Sequence, residues 1–519
     1  MKRQIFVEEL QKQQDTTWDI IVIGGGATGL GVALDGVSRG FKTLLLEQSD
    51  FAKGTSSRST KLVHGGVRYL AQGDMALVVE ALHERGLMMK NAPHLTSNQE
   101  FIIPVYRFWD AFVYTMGMKF YDLLSGPLSL GKSYFINPKK TLARLPMLKS
   151  QGLIGGVVYH DGQFDDSRMA IALAQKCAEK GCIVLNYFKV TDLSKNEYGI
   201  INGVNAKDIN TGEAFRFKSK LVINATGVFA DGIKRMDNPG AEPTIKPSRG
   251  VHIVLDKSFL QSKSALLIPK TEDGRVLFAI PWNDVVVVGT TDRPLDTISL
   301  EPVAQDNEID FILQTAQKYF TRPPHREDIL CTFAGLRPLA ANPNNPVSTK
   351  AISRRHKITL STSGLLTIIG GKWTTYRRMA EETINKAISA GLLNQKNCIT
   401  ADLKLTTLTN GNGSNRLNVY GDQSFEIEKM ISDNPGLGIP IDPRFPYTTA
   451  EIIWICRNEM PLLIEDVLAR RTHALFLNAK ASLDIAAKVA MLMAKELGRN
   501  AEWEKEQIES YNQLVKNYI

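Results

Sequence analysis

A glycine-rich turn near the N-terminus carries the clearest chemical signal in the sequence. Gly24, Gly26 and Gly29 follow an apolar run and fit the pattern G-x-G-x-x-G. A helix that starts at such a turn presents unpaired backbone N–H groups and the positive end of its dipole to a diphosphate. Glu47 ends a second apolar run about 20 residues further on, where an acid bonds the ribose hydroxyls and repels a 2′-phosphate. The spacing therefore predicts a site for an adenine dinucleotide other than NADP.

Two later strand ends that carry glycine favour a flavin over a nicotinamide nucleotide. They are Ala225-Thr226-Gly227 and Gly370-Gly371. A nicotinamide enzyme needs only two adjacent mononucleotide-binding halves, so a third such element is more than it requires. A helix N-terminus after Gly371, together with Lys372, would stabilise the negative charge of a reduced flavin. A glycine turn at an ordinary sheet edge is the alternative that these residues leave open.

The segment 54–69 is dense in hydroxyl groups and glycines, and it contains His64. Such a loop suits contact with phosphates and with the edge of a flavin ring. On composition alone, a solvated loop rich in serine and threonine is the simpler interpretation.

The elements that position these residues follow from the hydrophobic pattern. Short apolar runs alternate with segments of helical spacing, which is typical of a parallel sheet covered by helices. The runs predicted as its strands are 19–23, 41–46, 182–186, 220–224 and 365–369. From 243 to 293 the pattern instead favours an inserted antiparallel sheet, and beyond the polar segment 406–413 it becomes helical.

The segment 109–124 is rich in aromatic and aliphatic side chains. It is too short to span a bilayer. A buried helix is the simpler interpretation, and a helix lying in a membrane interface is the alternative.

Composition and charge narrow the class of protein. The hydrophobic fraction of 43% is that of a globular protein, and the net charge of +8 fits an anionic substrate or an acidic membrane surface. No long Lys/Arg block is present, which argues against nucleic acid. The five cysteines are scattered without a C-x-x-C pair, so neither a disulfide framework nor a metal site is expected. The polar first 17 residues lack a signal-peptide core, which predicts a reducing, cytoplasmic compartment.

Longer motifs resemble the FAD-dependent glycerol-3-phosphate dehydrogenase family, within the DAO-type FAD-dependent oxidoreductases. The motifs are residues 55–70, 280–282, 289–292, 335–339, 370–376 and 465–472. They occur in the family's order over nearly the whole chain. One departure is Trp373, where the family pattern leads us to expect a smaller aliphatic residue, which puts the shape of the flavin edge in doubt.

The resemblance implies an α/β fold with three domains. A discontinuous, Rossmann-like FAD-binding domain is expected at 18–93, 150–240 and 333–392. A β-rich substrate-binding domain is expected at 94–149 and 241–332, and a C-terminal α-helical domain at 410–519.

The resemblance also implies a reaction. The family oxidises sn-glycerol 3-phosphate to dihydroxyacetone phosphate by hydride transfer to FAD and passes the electrons to a quinone. His64 is then the expected base, and Arg337 binds the developing alkoxide or the phosphate. Arg354 is the expected bidentate partner of the phosphate, with Arg68 in a supporting position. Lys372 is expected to contact both flavin and substrate.

The residues expected to contact FAD lie on the glycine turn, the hydroxyl-rich loop, the later strand ends and one strand between them. They are Gly24, Gly26, Thr28, Gly29, Glu47, Thr55, Ser56, Ser57, Lys61, Leu62, His64, Gly65, Val190, Ala225, Gly227, Gly371, Lys372, Thr374 and Thr375.

Partners and rival functions follow from the same resemblance. It implies peripheral attachment at the inner face of the plasma membrane, with an anionic membrane surface as partner, and it leaves room for a homodimer. The nearest alternative is a glycerol-3-phosphate oxidase that uses oxygen. An amino-acid-type FAD oxidase, a non-catalytic flavin-binding protein and an NAD-dependent dehydrogenase are further alternatives.

Overall fold

A computed structural model describes residues 1–13, 15–71, 73–272, 274–340, 355–407 and 416–519, with the backbone alone at 68 and 71. The strands are β1 Thr17–Ile23, β2 Thr43–Leu46, β3 Leu62–Val63, β4 Thr96–Val105, β5 Tyr134–Ile136, β6 Gly155–Phe164, β7 Ile183–Leu185, β8 Phe188–Lys195, β9 Ile201–Asp208, β10 Ala214–Asn224, β11 Ile245–Asp256, β12 Ala265–Ile268, β13 Leu277–Trp282, β14 Val285–Gly289, β15 Arg293–Pro294, β16 Ile329–Ala340, β17 Lys357–Leu360, β18 Leu365–Ile369, β19 Pro440–Asp442 and β20 Phe445–Thr448. The helices are α1 Arg3–Lys12, α2 Ala27–Ser38, α3 Val67–Ala71, α4 Met75–Asn91, α5 Phe108–Ser125, α6 Pro138–Arg144, α7 Asp166–Glu179, α8 Ala230–Asp237, α9 Asp306–Tyr319, α10 Tyr376–Ser389, α11 Ser424–Asp433, α12 Thr449–Asn458, α13 Ala474–Leu477, α14 Ala479–Leu497 and α15 Ala501–Val515.

The first sheet confirms the predicted parallel strands. Its central order is β18-β10-β1-β2-β7, and every neighbouring pair in that run is parallel. Helices α2, α7 and α10 cover one face, while α1 and the β8–β9 hairpin pack on the other. Because both faces are covered, the middle residues of β1 are fully buried, and the strands read as continuous apolar runs.

The carboxyl ends of these strands meet at one edge. Ile23 lies opposite both Leu46 and Asn224 in the register, and Asn224 lies opposite Thr367 on β18. The glycine turn after β1, Glu47 after β2 and the turns after β10 and β18 are therefore neighbours. In open parallel sheets, ligands bind in the crevice outside this edge.

The second sheet is largely antiparallel, as predicted, with β12 and β4 as a parallel pair within it. Its main order is β15-β11-β14-β13-β12-β4-β6-β3, and β16 pairs along nearly the whole length of β11. The β11–β16 ladder faces the parallel sheet's carboxyl edge and supplies the opposite wall of the crevice. The domain boundaries given above stay a prediction; β6 and β16 belong to this second sheet, although all of β6 and residues 333–340 of β16 fall in segments assigned to the FAD-binding domain.

The C-terminal region is helical, as predicted, and packs behind the β11–β16 ladder. Its apolar core includes α12, α13, α14 and α15 and continues into Val254 and Phe333 of that ladder. Phe476 meets the Phe333 ring edge-on, with ring centres 5.3 Å apart. The C-terminal helices therefore support the sheet that forms one wall of the crevice.

Candidate active site

The crevice between the two sheets contains a cavity of about 350 Å³. One end is formed by the glycine turn after β1. Gly24 has φ +111°, and a Cβ there would lie 2.7 Å from the Ala225 carbonyl oxygen. A Cβ on Gly29 would lie 1.8 Å from the Gly24 carbonyl oxygen, so Gly29 allows α2 to approach β1. The turn thus leaves an open cradle of backbone at the N-terminus of α2.

Glu47 closes the cradle from the neighbouring strand. Its Oε2 accepts a hydrogen bond from Gly25 N at 2.6 Å, and its Oε1 accepts one from Ser49 N at 2.9 Å. Removal from water raises the pKa of the Glu47 carboxyl above its usual value. The side chain is therefore fixed at the position expected for an acid that bonds ribose hydroxyls.

The opposite end of the cavity carries Arg337 on β16. Its guanidinium donates to Thr290 Oγ1 at 3.1 Å and to Asp292 Oδ1 at 3.4 Å. The Arg337 guanidinium packs against the backbone of Gly250, where a Cβ would lie 2.3 Å from Arg337 Nη2. Asp292 is itself buried and bonded to Ser248. The arrangement holds one cation in a fixed plane at the cavity wall.

His252 lies beside Arg337 and was not among the predicted site residues. Its Nε2 is 2.9 Å from Thr60 Oγ1, and its ring stacks on Phe333 with centres 4.8 Å apart. Burial, with Arg337 and Lys61 nearby, lowers the pKa of His252 well below its usual value. The imidazole is therefore neutral at neutral pH. A histidine within the apolar run 251–255 was the available signal in the sequence.

The third wall comes from the turn after β18. Gly370 and Gly371 have φ +79° and +78°, a conformation that favours glycine, and they carry the chain to Lys372. The Lys372 ammonium lies 3.9 Å from the centre of the Tyr69 ring. Trp373, the departure from the family pattern, donates from Nε1 to Ser56 O at 2.8 Å. That hydrogen bond ties this turn to the hydroxyl-rich loop.

The structure brings most of the predicted site residues to this one cavity. Those that line it are Gly24, Gly26, Thr28, Glu47, Thr55, Ser56, Leu62, His64, Val190, Ala225, Gly227, Arg337, Gly371, Lys372 and Thr374. Residues from distant segments thus meet, with a backbone cradle at one end and two cations with two imidazoles at the other.

Other predicted residues lie behind the cavity wall. Lys61 is fully buried, and its ammonium donates to Asp166 Oδ1 at 2.7 Å and to Ser57 O at 2.9 Å. Gly29 packs under the glycine turn, and Gly65 and Thr375 lie on the loops that carry His64 and Lys372. Arg354 falls outside the described residues, as does the side chain of Arg68.

Helix α5 presents an apolar face to solvent, so the interpretation of this segment as a buried helix is wrong. Phe108, Trp109 and Leu123 are 82%, 73% and 73% exposed, while Tyr121 on the inner face is buried. The other exposed apolar side chains of the helix are Phe112, Val113, Met116 and Phe120. Within the described parts of the chain, no helix is long and apolar enough to cross a bilayer.

Comparison with known proteins gives matches over nearly the whole chain. The sequence model of the FAD dependent oxidoreductase (DAO) family matches residues 19–377, and that of the C-terminal domain of alpha-glycerophosphate oxidase matches residues 361–507. A probable mitochondrial glycerol-3-phosphate dehydrogenase of Caenorhabditis elegans is 40% identical over 530 residues, which is 96% of this chain and 73% of that protein. The mitochondrial glycerol-3-phosphate dehydrogenase of Rattus norvegicus is 39% identical over 97% of this chain and 74% of its own length.

Solved structures agree with these matches. The glycerol-3-phosphate dehydrogenase of Bacillus halodurans, complexed with FAD, superposes with a TM-score of 0.81 at 28% identity, covering 99% of this chain and 98% of its own. The L-alpha-glycerophosphate oxidase of Mycoplasma pneumoniae, with FAD bound, shares the fold at a TM-score of 0.57 and 18% identity, over 77% of this chain and 98% of its own.

Proposed function

The chain belongs to the FAD-dependent glycerol-3-phosphate dehydrogenases, and on that premise we propose that it passes electrons from glycerol 3-phosphate to a quinone at a membrane surface. Its cofactor is FAD, and its reaction is the oxidation of glycerol 3-phosphate. The observation that carries the proposal is the single cavity. A dinucleotide cradle forms one end, and Arg337, Lys372, His64 and His252 meet at the other.

The residues of the cradle fit the ADP half of FAD. Gly24 and Gly26 leave the backbone accessible at the start of α2, where N–H groups favour a diphosphate. Glu47 is held by two backbone N–H groups and faces the same space. Glu47 and Lys372 line the same cavity, so a dinucleotide with its ribose at Glu47 would carry its ring toward Lys372. When bound there, FAD supplies the acceptor for the hydride from C2 of the substrate.

Arg337 and Lys372 are assigned to the anionic oxygens of the substrate. A guanidinium stays protonated, so Arg337 binds charge and does not remove a proton. Thr290 and Asp292 fix its plane, so its contribution to binding costs little ordering of the side chain. The ammonium of Lys372, held over the Tyr69 ring, adds a second positive charge at this end. The +8 net charge of the chain favours encounter with an anionic substrate.

His64 is assigned as the acceptor of the proton of the C2 hydroxyl. Oxidation removes a hydride from C2 and a proton from its oxygen, and a neutral imidazole can accept that proton. His252 is neutral and bonded to Thr60, so we assign it to orienting the substrate hydroxyl beside Arg337. A comparison of His64→Gln with His252→Gln tests whether the two histidines have these separate roles. The pH dependence of flavin reduction should change in His64→Gln and should match that of the wild type in His252→Gln.

The central experiment is anaerobic reduction of the purified, yellow protein by glycerol 3-phosphate. We expect the flavin absorbance to bleach, and a soluble quinone analogue to restore it faster than oxygen does. Absence of bleaching would overturn the proposed reaction. Fast reoxidation by oxygen with one peroxide per flavin would favour the oxidase alternative. Bleaching by amino acids and not by glycerol 3-phosphate would favour an amino-acid oxidase.

The apolar face of α5 supports attachment to a membrane surface. Phe108, Trp109 and Phe112 stand in solvent, and two of them stack on each other with ring centres 5.7 Å apart. Exposed cations occur just before this helix, on it and on the segment after it: Arg107, Lys119, Lys132, Lys139 and Lys140. Apolar side chains bordered by lysine and arginine are typical of helices that lie in an anionic bilayer interface. We place the protein at the inner face of the plasma membrane. The homodimer stays a prediction.

Vesicle binding tests this attachment. We expect the protein to sediment with vesicles that contain anionic lipid, and less so at high salt. The double variant Trp109→Ser/Phe112→Ser should reduce binding at least tenfold. Tyr198→Ser is the control, because Tyr198 is 80% exposed on a separate hairpin turn and should leave binding unchanged. Equal binding of all three proteins would overturn the role of α5.

A further inference from the structure

A buried group of polar side chains joins α5 to the loop that carries His64. Tyr121 on the inner face of α5 is 1% exposed. Its hydroxyl accepts a hydrogen bond from Gly65 N at 2.8 Å and donates one to Asp161 Oδ2 at 2.7 Å. Burial and the charge of Asp161 raise the pKa of Tyr121 well above its usual value, so the hydroxyl keeps its proton. Both hydrogen bonds are therefore available wherever the enzyme is folded.

The hydroxyl is anchored from three elements. Asp161 lies on β6 and pairs with Arg85 Nη1 of α4 at 2.9 Å. Arg85 in turn donates to Ser125 Oγ on α5 at 3.4 Å and to Leu128 O at 3.1 Å. Tyr121, Asp161, Arg85 and Ser125 are all buried. Because breaking one partner leaves a buried charge without its pair, this group resists displacement.

The anchored hydroxyl acts on the peptide between His64 and Gly65. The Gly65 N–H that donates to the Tyr121 hydroxyl belongs to that peptide, so the hydrogen bond fixes the orientation of the peptide. A Cβ at Gly65 would lie 2.6 Å from the Tyr121 hydroxyl and 2.5 Å from Leu82 Cδ2, so the loop is packed tightly here. On its other side, His64 N is 3.4 Å from Thr374 Oγ1. The backbone of His64 is thus held between two hydroxyl groups.

The same loop also supports Lys372, through the packing of Gly66 against Tyr69. Gly66 has φ +84°, and a Cβ there would lie 2.4 Å from Tyr69 Cδ2. Tyr69 is the ring that carries the Lys372 ammonium. A shift of the loop at Gly65 would therefore move the supports of both His64 and Lys372.

We propose that Tyr121 is a positioning residue for the oxidation of glycerol 3-phosphate. Its hydroxyl fixes the His64–Gly65 peptide, and through that peptide it sets the place of His64 in the cavity. It also joins α5, with its exposed apolar face, to the loop that carries His64. The inference rests on the proposed reaction and on the assigned role of His64, and it does not require membrane attachment.

The test compares Tyr121→Phe with Tyr114→Phe. Tyr121→Phe keeps the ring and removes the hydroxyl, while Tyr114 is a half-exposed tyrosine on the same helix. We expect FAD-loaded Tyr121→Phe to show a rate of flavin reduction at saturating glycerol 3-phosphate that is at least tenfold lower, because small misplacements of a reacting group are costly. KM should change by less than about threefold, and the pH profile of reduction should shift. Tyr114→Phe should match the wild type in rate and in pH profile.

A wild-type rate and pH profile in FAD-loaded Tyr121→Phe would overturn the inference, and so would a loss explained entirely by lower FAD content. If Tyr121→Phe does not fold, hydrogen exchange of the wild-type holoenzyme decides the question. The Gly65 amide should exchange slowly, and rapid exchange at Gly65 would overturn the inference. A wild-type protein that glycerol 3-phosphate does not reduce would contradict the proposed function instead, since that result appears before any variant is compared.

Discussion

The two ends of the cavity are built in different ways. The dinucleotide end comes mainly from one contiguous stretch, from β1 to Glu47, with Ala225 packed against Gly24, and it uses backbone geometry and a single carboxylate. The catalytic end collects Arg337, His252, Lys372 and His64 from four distant segments, and other side chains hold each group in place. A side chain that fills space should therefore impair FAD binding at the dinucleotide end. Removal of a charge or a hydrogen bond should impair turnover at the catalytic end.

The largest expected effect is at the catalytic end. Arg337→Ala removes the fixed cation and leaves the buried Asp292 without the guanidinium that it contacts at 3.4 Å. Loss of a hydrogen-bonded charge pair costs about 2–5 kcal/mol, so kcat/KM for glycerol 3-phosphate should fall at least about thirtyfold. FAD content should stay near one per chain. Arg337→Lys keeps the charge without the planar donors and should recover only part of the activity. Steady-state kinetics that match the wild type would contradict the assignment.

Filling space at the dinucleotide end should cost less free energy and should act on the cofactor instead of on turnover. In Gly29→Ala the new methyl group would meet the Gly24 carbonyl oxygen at 1.8 Å. Overpacking of this kind costs about 1–3 kcal/mol, so the purified variant should be paler, with less FAD per chain. Gly54→Ala is the matched control, because Gly54 lines the same cavity and a Cβ there would meet nothing within 4 Å. If both variants retain FAD equally, the cradle does not depend on close approach at Gly29.

The same contrast explains how far the sequence could predict the molecule. The cradle was predicted because its chemistry and its geometry lie in one βαβ unit, where strand, glycine turn and acid follow at fixed spacing. The central strands of the parallel sheet and the strands between 243 and 293 were predicted from their apolar runs for a similar local reason, whereas β4, β6 and β16 of the second sheet were not predicted. His252 was missed because nothing near it in the sequence shows that β11 pairs with β16 and brings it beside Arg337.

Charged and aromatic residues were harder to place than glycines. Lys61 was expected to contact FAD from a hydroxyl-rich loop, yet its ammonium is buried against Asp166 among the rings of Trp282, Phe333 and Phe476. Those rings come from segments far along the chain. The apolar residues of α5 likewise gave no sign of which face would be covered, because amphipathic spacing alone does not show that a helix has nothing to pack against.

Two substitutions of different severity at Glu47 test the contribution of this carboxylate to FAD binding at the dinucleotide end. Glu47→Ala leaves the Gly25 and Ser49 amides without their acceptor and removes the expected bond to the ribose hydroxyls. Each net hydrogen bond is worth about 1 kcal/mol, so the dissociation constant of FAD should rise about fivefold. Glu47→Gln keeps an acceptor oxygen and should show a smaller rise. Titration of FAD into the apoproteins, followed by flavin fluorescence, measures both. Equal FAD affinity in the two variants and the wild type would show that Glu47 does not contribute to FAD binding.

The smallest expected effect concerns the pH dependence of stability at the catalytic end. The pKa of His252 lies well below its usual value of about 6.5, because the ring is buried and faces the cations of Arg337 and Lys61. Below pH 6.5 the unfolded chain binds a proton at this residue that the folded protein does not, so the free energy of unfolding falls as pH is lowered. The cost is at most about 1.4 kcal/mol for each pH unit. His252→Asn should therefore lose less stability than the wild type between pH 7 and pH 5.5 in urea unfolding of the FAD-loaded protein. His83→Asn is the control, because the His83 side chain is 59% exposed and lies outside the cavity. Identical slopes in all three proteins would mean that His252 accepts a proton in the folded state, and the catalytic end would then carry a third cation and not a neutral imidazole.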